Sequence, residues 1–340
     1  MIHRTDRLLQ TDSPLSWQQQ LATAITDPLV LLERLKLDKA LLPAALSAAQ
    51  QFPLRVPLAF VDQMQIGNSN DPLLLQVLPL QQELISVSGY SSDPIKELAY
   101  TENGIIHKYR GRVLLLVSGH CAVNCRYCFR RHFPYEENFL SRDQWLETIK
   151  NIAADNTIEE VIYSGGDPLA ANDKQLAWLT QQIAAIPHIK RLRIHSRLPV
   201  VIPERINDEC LSWLSNHRLD TAFVLHINHA NEISPALIRA IARMRELGII
   251  VLNQSVLLKG INDSVSILKT LSDELFAAGV LPYYLHLLDP VSGAAHFDMP
   301  LKKAKQLHDE MLACLPGYLV PKLVRDIEGE ASKTSASKIN

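Results

Sequence analysis

From residue 113 onward, short apolar runs alternate with segments whose apolar positions recur at helical spacing. The runs are rich in aliphatic and β-branched residues and span 113–118, 160–164, 191–196, 222–227, 249–258 and 283–289. Amphipathic, helix-length segments such as 141–153 and 234–247 lie between them, and the second begins with Ser-Pro, a common helix start. This alternation predicts parallel strands joined by right-handed crossovers. We therefore expect six βα units in an open or partial (β/α) barrel, with apolar, unalternating strands covered on both faces.

The part of the chain before residue 101 has a different pattern, of short helices interrupted by prolines. Ser13-Pro14 and Asp27-Pro28 each place a capping residue before a proline, as at helix N-termini. No stretch is rich enough in Gly and Ser to form a flexible linker, so we expect this part to pack on the barrel. The predicted organisation is a helical cap over 1–100, a barrel over 101–300 and a C-terminal segment over 301–340.

Ligand-capable residues lie at or just after the end of each predicted strand. In chain order they are Cys121, Gly165-Gly166-Asp167, His195 with Arg197, His226 with Asn228, Gln254 and Asp289. In a (β/α) barrel the carboxyl ends of the strands meet at one face, where the loops build a site. Capping of individual strands would explain two or three of these residues but not easily all six. The pattern therefore indicates a single site to which all six strands contribute residues.

Composition and charge narrow the class of protein. With 47% hydrophobic and 21% charged residues, a chain of 340 residues can bury a large core, which indicates a globular enzyme. The net charge of −2 disfavours a nucleic-acid-binding surface, so we expect a small substrate. Aliphatic stretches such as 113–117 are too short to cross a bilayer, and residues 1–10 lack the apolar run of a secretory signal. We expect a cytoplasmic protein that binds no membrane.

Three of the five cysteines, Cys121, Cys125 and Cys128, crowd into eight residues. That spacing is poor for a disulfide framework and good for a metal centre. Three thiolates on one short loop can ligate three irons of a 4Fe-4S cubane and leave the fourth iron free to chelate a small molecule. We expect Cys210 and Cys314, which stand alone, to be small buried apolar residues.

Zinc is the competing interpretation of the cysteine loop, with His120 or His132 as the fourth ligand. Zinc motifs usually come as two pairs of ligands separated by a longer spacer, and no second pair is found here. His226 and His229 also have the spacing of a metal pair, but two histidines are a weak signal and a core or turn role explains them at least as well.

The C-x3-C-x2-C spacing, with Tyr127 before the last cysteine, resembles the signature of the radical S-adenosylmethionine (SAM) superfamily. In such enzymes the reduced cluster cleaves SAM to methionine and a 5′-deoxyadenosyl radical, which abstracts hydrogen from the substrate. The turn Ser164-Gly165-Gly166-Asp167 resembles the Gly-Gly-Glu-type segment whose backbone contacts SAM. His226 and Gln254 match further positions that contact SAM. Without the resemblance, the two glycines would indicate only a tight turn.

Over nearly its whole length the chain resembles the lysine 2,3-aminomutase family, and within it the short bacterial type that prepares β-lysine for elongation factor P. The segments that carry the resemblance are 107–135, 164–169, 191–200, 226–232, 252–263, 281–297 and 317–333. The family implies a partial (β/α)6 radical SAM barrel with a C-terminal segment that folds into it. It also implies an isomerase, an intramolecular aminotransferase that needs pyridoxal 5′-phosphate (PLP).

The resemblance assigns PLP to Lys333, which matches the family's imine-forming lysine, although a lysine near a terminus is usually a solvated residue. An amine nucleophile can hold PLP as an imine and transfer it to a substrate amine. The family's phosphate-binding residues fall on Lys108, Tyr109 and Arg112. Lys108 stands where the longer clostridial enzymes commonly have arginine, so phosphate binding would depend more on Arg112.

Three further residues match the family's substrate-binding positions. Arg130 matches the arginine that binds the substrate carboxylate, for which a planar guanidinium is suited. Asp289 and Asp326 match the paired acids that bind the ε-ammonium of lysine, whose charge relieves their mutual repulsion. The implied reaction converts L-α-lysine to β-lysine, as the R enantiomer. The alternatives are an arginine or glutamate aminomutase, of which two distal acids disfavour the second, and a non-catalytic, metal-stabilised binding protein.

Partners follow from the same resemblance. The reaction needs an electron donor such as flavodoxin or ferredoxin, and the short type is linked to elongation factor P and the enzyme that transfers a lysyl group to it. The long clostridial enzymes carry zinc-ligating cysteines at a subunit interface, and Ser264 stands where one more such cysteine would be. We therefore expect no zinc and leave open whether the protein forms a homo-oligomer.

Overall fold

Ten strands form one sheet in chain order in the computed structural model, which describes residues 15–102, 104–138 and 140–339. The strands are β1 (Thr101–Glu102), β2 (Ile105–Tyr109), β3 (Arg112–Ser118), β4 (Glu160–Gly165), β5 (Arg191–Ser196), β6 (Asp220–His226), β7 (Ile250–Val256), β8 (Leu281–His286), β9 (Lys322–Arg325) and β10 (Thr334–Ser335). Neighbours from β3 to β9 are parallel, whereas β1, β2 and β10 pair antiparallel at the two edges. The six predicted βα strands, β3 to β8, and the partial-barrel fold class are confirmed.

Eleven α-helices accompany these strands in the described part of the chain. They are α1 (Trp17–Ala22), α2 (Pro28–Arg34), α3 (Leu42–Gln51), α4 (Leu58–Val61), α5 (Arg142–Ala154), α6 (Asp173–Ala184), α7 (Leu198–Val201), α8 (Asp208–Ser215), α9 (Pro235–Glu246), α10 (Val265–Ala277) and α11 (Leu301–Cys314). None of these helices combines the length and the apolar character needed to span a bilayer.

Capping side chains fix where several helices begin. Asp27 accepts a hydrogen bond from the Leu29 amide with Pro28 in the first turn, as predicted. Ser141 and Ser234 cap α5 and α9 in the same way. The predicted start at Ser13-Pro14 lies outside the described residues.

The expectation of strands covered equally on both faces is wrong for β5 and β7, whose residues alternate between buried and partly exposed. On β5, Leu192 and Ile194 are fully buried and belong to the main core, whereas Arg193 and His195 line a cavity. The reason is that the outer face packs against helices while the inner face borders a hollow interior. The polar residues at the strand ends therefore face a common space.

The cap and the barrel share one hydrophobic core. Leu31 and Phe60 of the cap belong to the same buried cluster as Val161 of β4 and Phe223 of β6. The C-terminal segment packs on the last strands through a second cluster, to which Met311 of α11 contributes. The prediction that the cap packs on the barrel is confirmed, whereas the exact division at residues 100 and 300 stays a prediction.

Candidate active site

A cavity of about 500 Å³ lies at the carboxyl ends of the parallel strands. Its volume falls within the usual range for small-molecule sites. Every residue predicted to hold a cofactor or substrate lines it: Cys121, Cys125, Cys128, Lys108, Tyr109, Arg112, Arg130, Ser164, Gly165, Gly166, Asp167, His226, Gln254, Asp289, Asp326 and Lys333. The structure therefore brings together residues separated by more than two hundred positions in the chain, while their individual roles stay predictions.

The three clustered cysteines form one wall of the cavity, on the loop that follows β3. All three are free thiols and only partly exposed. Burial raises the pKa of Cys121 well above its ordinary value and that of Cys128 to about 11. A metal centre would displace these protons, because thiolates are the ligating form. In the described residues no three His, Cys, Asp or Glu side chains converge on a point for a single ion. A cubane differs in that each thiolate ligates a different iron, so this donor set fits it.

The two lone cysteines differ from each other. Cys210 is fully buried in α8, as predicted. The same prediction is wrong for Cys314, which is exposed because it is the last residue of α11 and faces solvent.

The Ser164-Gly165-Gly166-Asp167 turn packs directly against the backbone that leads into the cysteine loop. The amides of Gly166 and Asp167 donate to the carbonyls of Ser118 (2.7 Å) and His120 (2.8 Å). The Asp167 carboxylate accepts from the Ser196 hydroxyl (2.7 Å) and from the Arg197 amide (2.8 Å). Asp167 thus ties the turn to the end of β5, and burial raises its pKa against these hydrogen bonds.

Arg130 links the cap to this turn. Its Nε and Nη2 donate to the two carboxylate oxygens of Glu97, at 2.6 and 2.8 Å. Its Nη1 donates to Ser164 Oγ and to the Gly165 carbonyl, both at 3.1 Å. Glu97 was not predicted as a site residue, because nothing in its local sequence marks it. A substrate carboxylate would therefore compete with Glu97 for the guanidinium group of Arg130.

Lys333 lies at a second wall of the cavity, in the loop between β9 and β10. Its Nζ is 3.2 Å from Asp326 Oδ2, and the Tyr109 hydroxyl donates to the same oxygen at 2.9 Å. Lys108 pairs with the other carboxylate oxygen, Asp326 Oδ1. Burial opposes ionisation of Asp326, but Lys333 and Lys108 hold the pKa of its carboxyl below the ordinary value. One of the two predicted ammonium-binding acids, Asp326, thus already pairs with the ammonium groups of two lysines.

Several polar atoms of this wall have no hydrogen-bond partner in the described part of the chain. They are Asp289 Oδ1, His195 Nε2 and His286 Nε2. Burial raises the pKa of Asp289 to about 7 although Lys333 opposes the shift, and burial lowers the pKa of both imidazoles well below the usual value. Buried polar groups are normally satisfied, so these atoms indicate a polar ligand of the cavity.

Arg112 is suited to bind an anion. Its guanidinium stacks on the Tyr109 ring at 4.5 Å, and no carboxylate among the described residues pairs with it. Lys108, by contrast, is already neutralised by Asp326. With the amine of Lys333 in the same cavity, these groups fit PLP, whose aldehyde needs an amine and whose phosphate needs a cation.

His226 and Gln254 border the cavity at the ends of β6 and β7. The Nε2 atom of His226 lies 3.0 Å from the Tyr127 hydroxyl, and the two rings stack with centroids 5.7 Å apart. Burial, and to a lesser extent Arg197, lower the pKa of His226 to about 3. His229 instead accepts from the Asn231 amide, so the two histidines have separate roles.

Comparison with known proteins gives consistent matches. A family model described as "Radical SAM superfamily" matches residues 115–271. The L-lysine 2,3-aminomutase of Escherichia coli K12 is 51% identical over 327 residues, which cover 96% of each chain. The enzyme of the same name from Haemophilus influenzae is 50% identical over 94% of this chain and 95% of its own. That of Acetoanaerobium sticklandii is 35% identical over 81% of this chain and 67% of its own.

Proposed function

The chain belongs to the lysine 2,3-aminomutase family of radical SAM enzymes, and from this membership we propose that it converts L-α-lysine to β-lysine. It is an isomerase that uses a 4Fe-4S cluster, SAM and PLP, as that family does. When bound, the reduced cluster and SAM supply a radical that removes hydrogen from the substrate, and PLP spreads the unpaired electron.

The observation that carries the proposal is one cavity with the cysteine loop on one wall and Lys333 on another. Cys121, Cys125 and Cys128 would hold the cluster. The backbone of 164–167, with His226 and Gln254, would orient SAM. Lys333 would hold PLP, and Arg112 with Lys108 and Tyr109 would bind its phosphate. With cofactors and substrate bound, the cavity walls would shield the reacting groups from bulk water and hold them in line, which would be the protein's own contribution to the rate.

Lysine as the substrate is supported by the contacts of Asp326. This carboxylate already accepts the ammonium groups of Lys108 and Lys333, which are the same chemical group as the distal end of free lysine. Asp289 lies in the same cavity with an unpartnered oxygen, so a cation would also satisfy it. Arg130 would bind the substrate carboxylate in place of part of its Glu97 contact. Two acids at the distal end select lysine over glutamate by charge.

We further propose that the product is the R enantiomer, that it serves the modification of elongation factor P, and that a flavodoxin- or ferredoxin-like protein in the cytoplasm supplies the electron. The support is the resemblance to the short bacterial type. The fraction of each relative's length that aligns with this chain also supports this type. The chain aligns with 96% of the Escherichia coli protein but with 67% of the Acetoanaerobium sticklandii protein.

The test is anaerobic incubation of the reconstituted protein with SAM, PLP, a reductant and an equal mixture of lysine, arginine and glutamate. Mass spectrometry after chiral derivatisation should find (R)-β-lysine and no other β-amino acid. Cys125→Ala should abolish turnover, whereas the matched variant Cys314→Ala, which changes a cysteine outside the cavity, should retain it. Conversion of arginine or glutamate in preference to lysine would refute the assignment.

A further inference from the structure

We propose that Arg197 makes the iron–sulfur cluster easier to reduce by donating a hydrogen bond to the Cys125 sulfur, and that Glu232 limits this effect by balancing its charge. The inference rests on the proposed function, in which Cys125 ligates the cluster. Arg197 acts on the cluster through a ligand, so it is a positioning residue for the reaction.

The contact is made by a buried cation. Arg197 directly follows β5, and its side chain is 6% exposed. Its Nη1 lies 2.8 Å from Cys125 Sγ and also donates to the Tyr127 hydroxyl. A guanidinium cannot be deprotonated under physiological conditions, so this donor keeps its charge even when buried.

Groups from three parts of the chain hold the guanidinium in place. Its Nη2 donates to Gln76 Oε1 at 2.7 Å and to Glu232 Oε2 at 3.0 Å. Its backbone amide donates to Asp167. Gln76 belongs to the cap, Glu232 follows β6, and Asp167 follows β4. The side chain therefore has little freedom to turn away from the sulfur.

Glu232 is itself held in place by several hydrogen-bond donors. It is fully buried, and its Oε1 accepts from the Gln76 amide and from the backbone amides of Asn228 (2.9 Å) and His229 (3.0 Å). Hydrogen bonds of this kind stabilise a carboxylate. Cys125 therefore contacts the Arg197 cation directly, whereas the counter-charge of that cation, Glu232, pairs with the other side of the guanidinium.

The consequence for the cluster has a definite sign. Reduction adds one electron, and a hydrogen bond or positive charge at a ligating sulfur stabilises the reduced form and makes the potential less negative. Loss of the Arg197 donor should therefore make the potential more negative. Loss of the Glu232 charge should make it less negative, because the arginine charge is then uncompensated. Two residues in contact are thus expected to shift one potential in opposite directions.

The experiment is a redox titration of the reconstituted holoprotein, with the reduced cluster followed by electron paramagnetic resonance in the absence of SAM and substrate. The variants are Arg197→Gln, Arg197→Lys and Glu232→Gln. Arg205→Lys is the matched control, because Arg205 is equally buried and paired with Asp173 at 2.8 Å but does not line the cavity. We expect more negative potentials for both Arg197 variants, a less negative one for Glu232→Gln, and no change for Arg205→Lys.

Iron and sulfide are counted first in every sample. Failure of the unsubstituted protein to assemble a cluster would overturn the proposed function and this inference with it. An assembled cluster whose potential is unchanged in Arg197→Gln would overturn the inference alone. If Arg197→Gln fails to fold, the potential of Glu232→Gln tests the inference instead. A more negative potential in Glu232→Gln would contradict the proposal that Glu232 balances the charge of Arg197.

Discussion

Asp289 and Asp326 line the same cavity, yet their surroundings favour opposite protonation states. Asp326 contacts two lysines and a tyrosine, which stabilise its charge. Asp289 has an oxygen without a partner in the described residues, and burial raises its pKa to about 7. In the cofactor-free protein one acid of the predicted pair is therefore ionised at neutral pH, while the other is close to half protonated.

This difference predicts a pH-dependent effect of Asp289→Asn on the stability of the cofactor-free protein. The folded-state pKa of Asp289 is raised, so ionisation destabilises the folded state as the pH rises from about 4 to about 7. The asparagine variant should have the larger free energy of unfolding above pH 7, by on the order of 3 kcal/mol relative to the difference at pH 4. Urea titrations at several pH values measure this difference. The matched variant Asp309→Asn, at an exposed position of α11, should show no such trend. A pH-independent difference for Asp289→Asn would contradict the assigned burial.

Lys333 gives a second prediction at the level of a single residue. Lys333→Ala removes the amine that would form the imine with PLP, so the protein should lose the absorbance band of lysine-bound PLP and keep its iron. Absorbance spectra and iron analysis measure both. Lys338→Ala changes an exposed lysine of the same C-terminal segment and should leave the band intact. An unchanged band in Lys333→Ala would mean that another lysine carries PLP.

At the level of elements, the cap fixes the shape of the cysteine loop. Glu83 in the cap accepts from Arg126 Nε at 2.8 Å and from Arg131 Nη2 at 2.9 Å, and the side chains of all three residues are at most 1% exposed. The two guanidinium groups also lie over the ring of Phe52, at 4.8 and 4.5 Å. Arg126 and Arg131 stand on either side of Cys128 in the sequence, so one carboxylate of the cap holds the loop at two points.

Glu83→Gln should therefore weaken both the fold and the retention of iron. It leaves two buried arginine charges without their counter-charge, which costs on the order of 3 kcal/mol of stability. The measurement is iron per chain after anaerobic desalting, together with urea unfolding of the cofactor-free protein. Glu33→Gln, which breaks an exposed pair with Lys39, should change neither. Full iron retention in a destabilised Glu83→Gln protein would show that the loop keeps its shape without the cap.

The elements that were predictable from the sequence are those with a local pattern. β3 to β8 follow from short runs rich in aliphatic and β-branched residues that alternate with helix-length segments, and α5 and α9 follow from serine caps before amphipathic segments. β1 and β10 contain two residues each, which is too short for any periodicity. Glu83 and Glu97 were not predicted as partners of the cysteine loop, because their contacts with Arg126 and Arg130 join residues more than thirty positions apart.

For the whole molecule, the cap and barrel share one core, so we expect them to unfold together. Trp17 of the cap stacks under the guanidinium of Arg205, at 4.5 Å, and Trp213 of α8 packs near Tyr163 of β4. Cofactor-free variants that keep only Trp17 or only Trp213 should give coincident urea transitions by fluorescence. Leu31→Ala, a fully buried cap position, should lower both midpoints equally, at a cost of about 2 to 5 kcal/mol. A separate, earlier transition for Trp17 would mean that the cap unfolds independently.

The complete site could not be derived from patterns in the sequence alone. The position of ligand-capable residues at the ends of the predicted strands correctly indicates that Cys121, His226 and Asp289 meet at one cavity. Lys333 carries no such signal, because it lies in a polar segment that composition alone would assign to a solvated tail. Its position depends on β9 pairing with β8 and on β10 pairing back on β9, and strands of four and two residues leave no trace in hydropathy.

The two glycines after β4 restrict how this protein can be altered. A Cβ atom at Gly165 would collide with the Ser118 carbonyl, and one at Gly166 would lie 2.8 Å from the carbonyl of His120, the residue before Cys121. Gly165 also has φ near +122°, which side chains rarely tolerate. Any bulk added here would push on the start of the cysteine loop. An engineer who exchanges the loop or the turn with a relative should therefore transfer the two together.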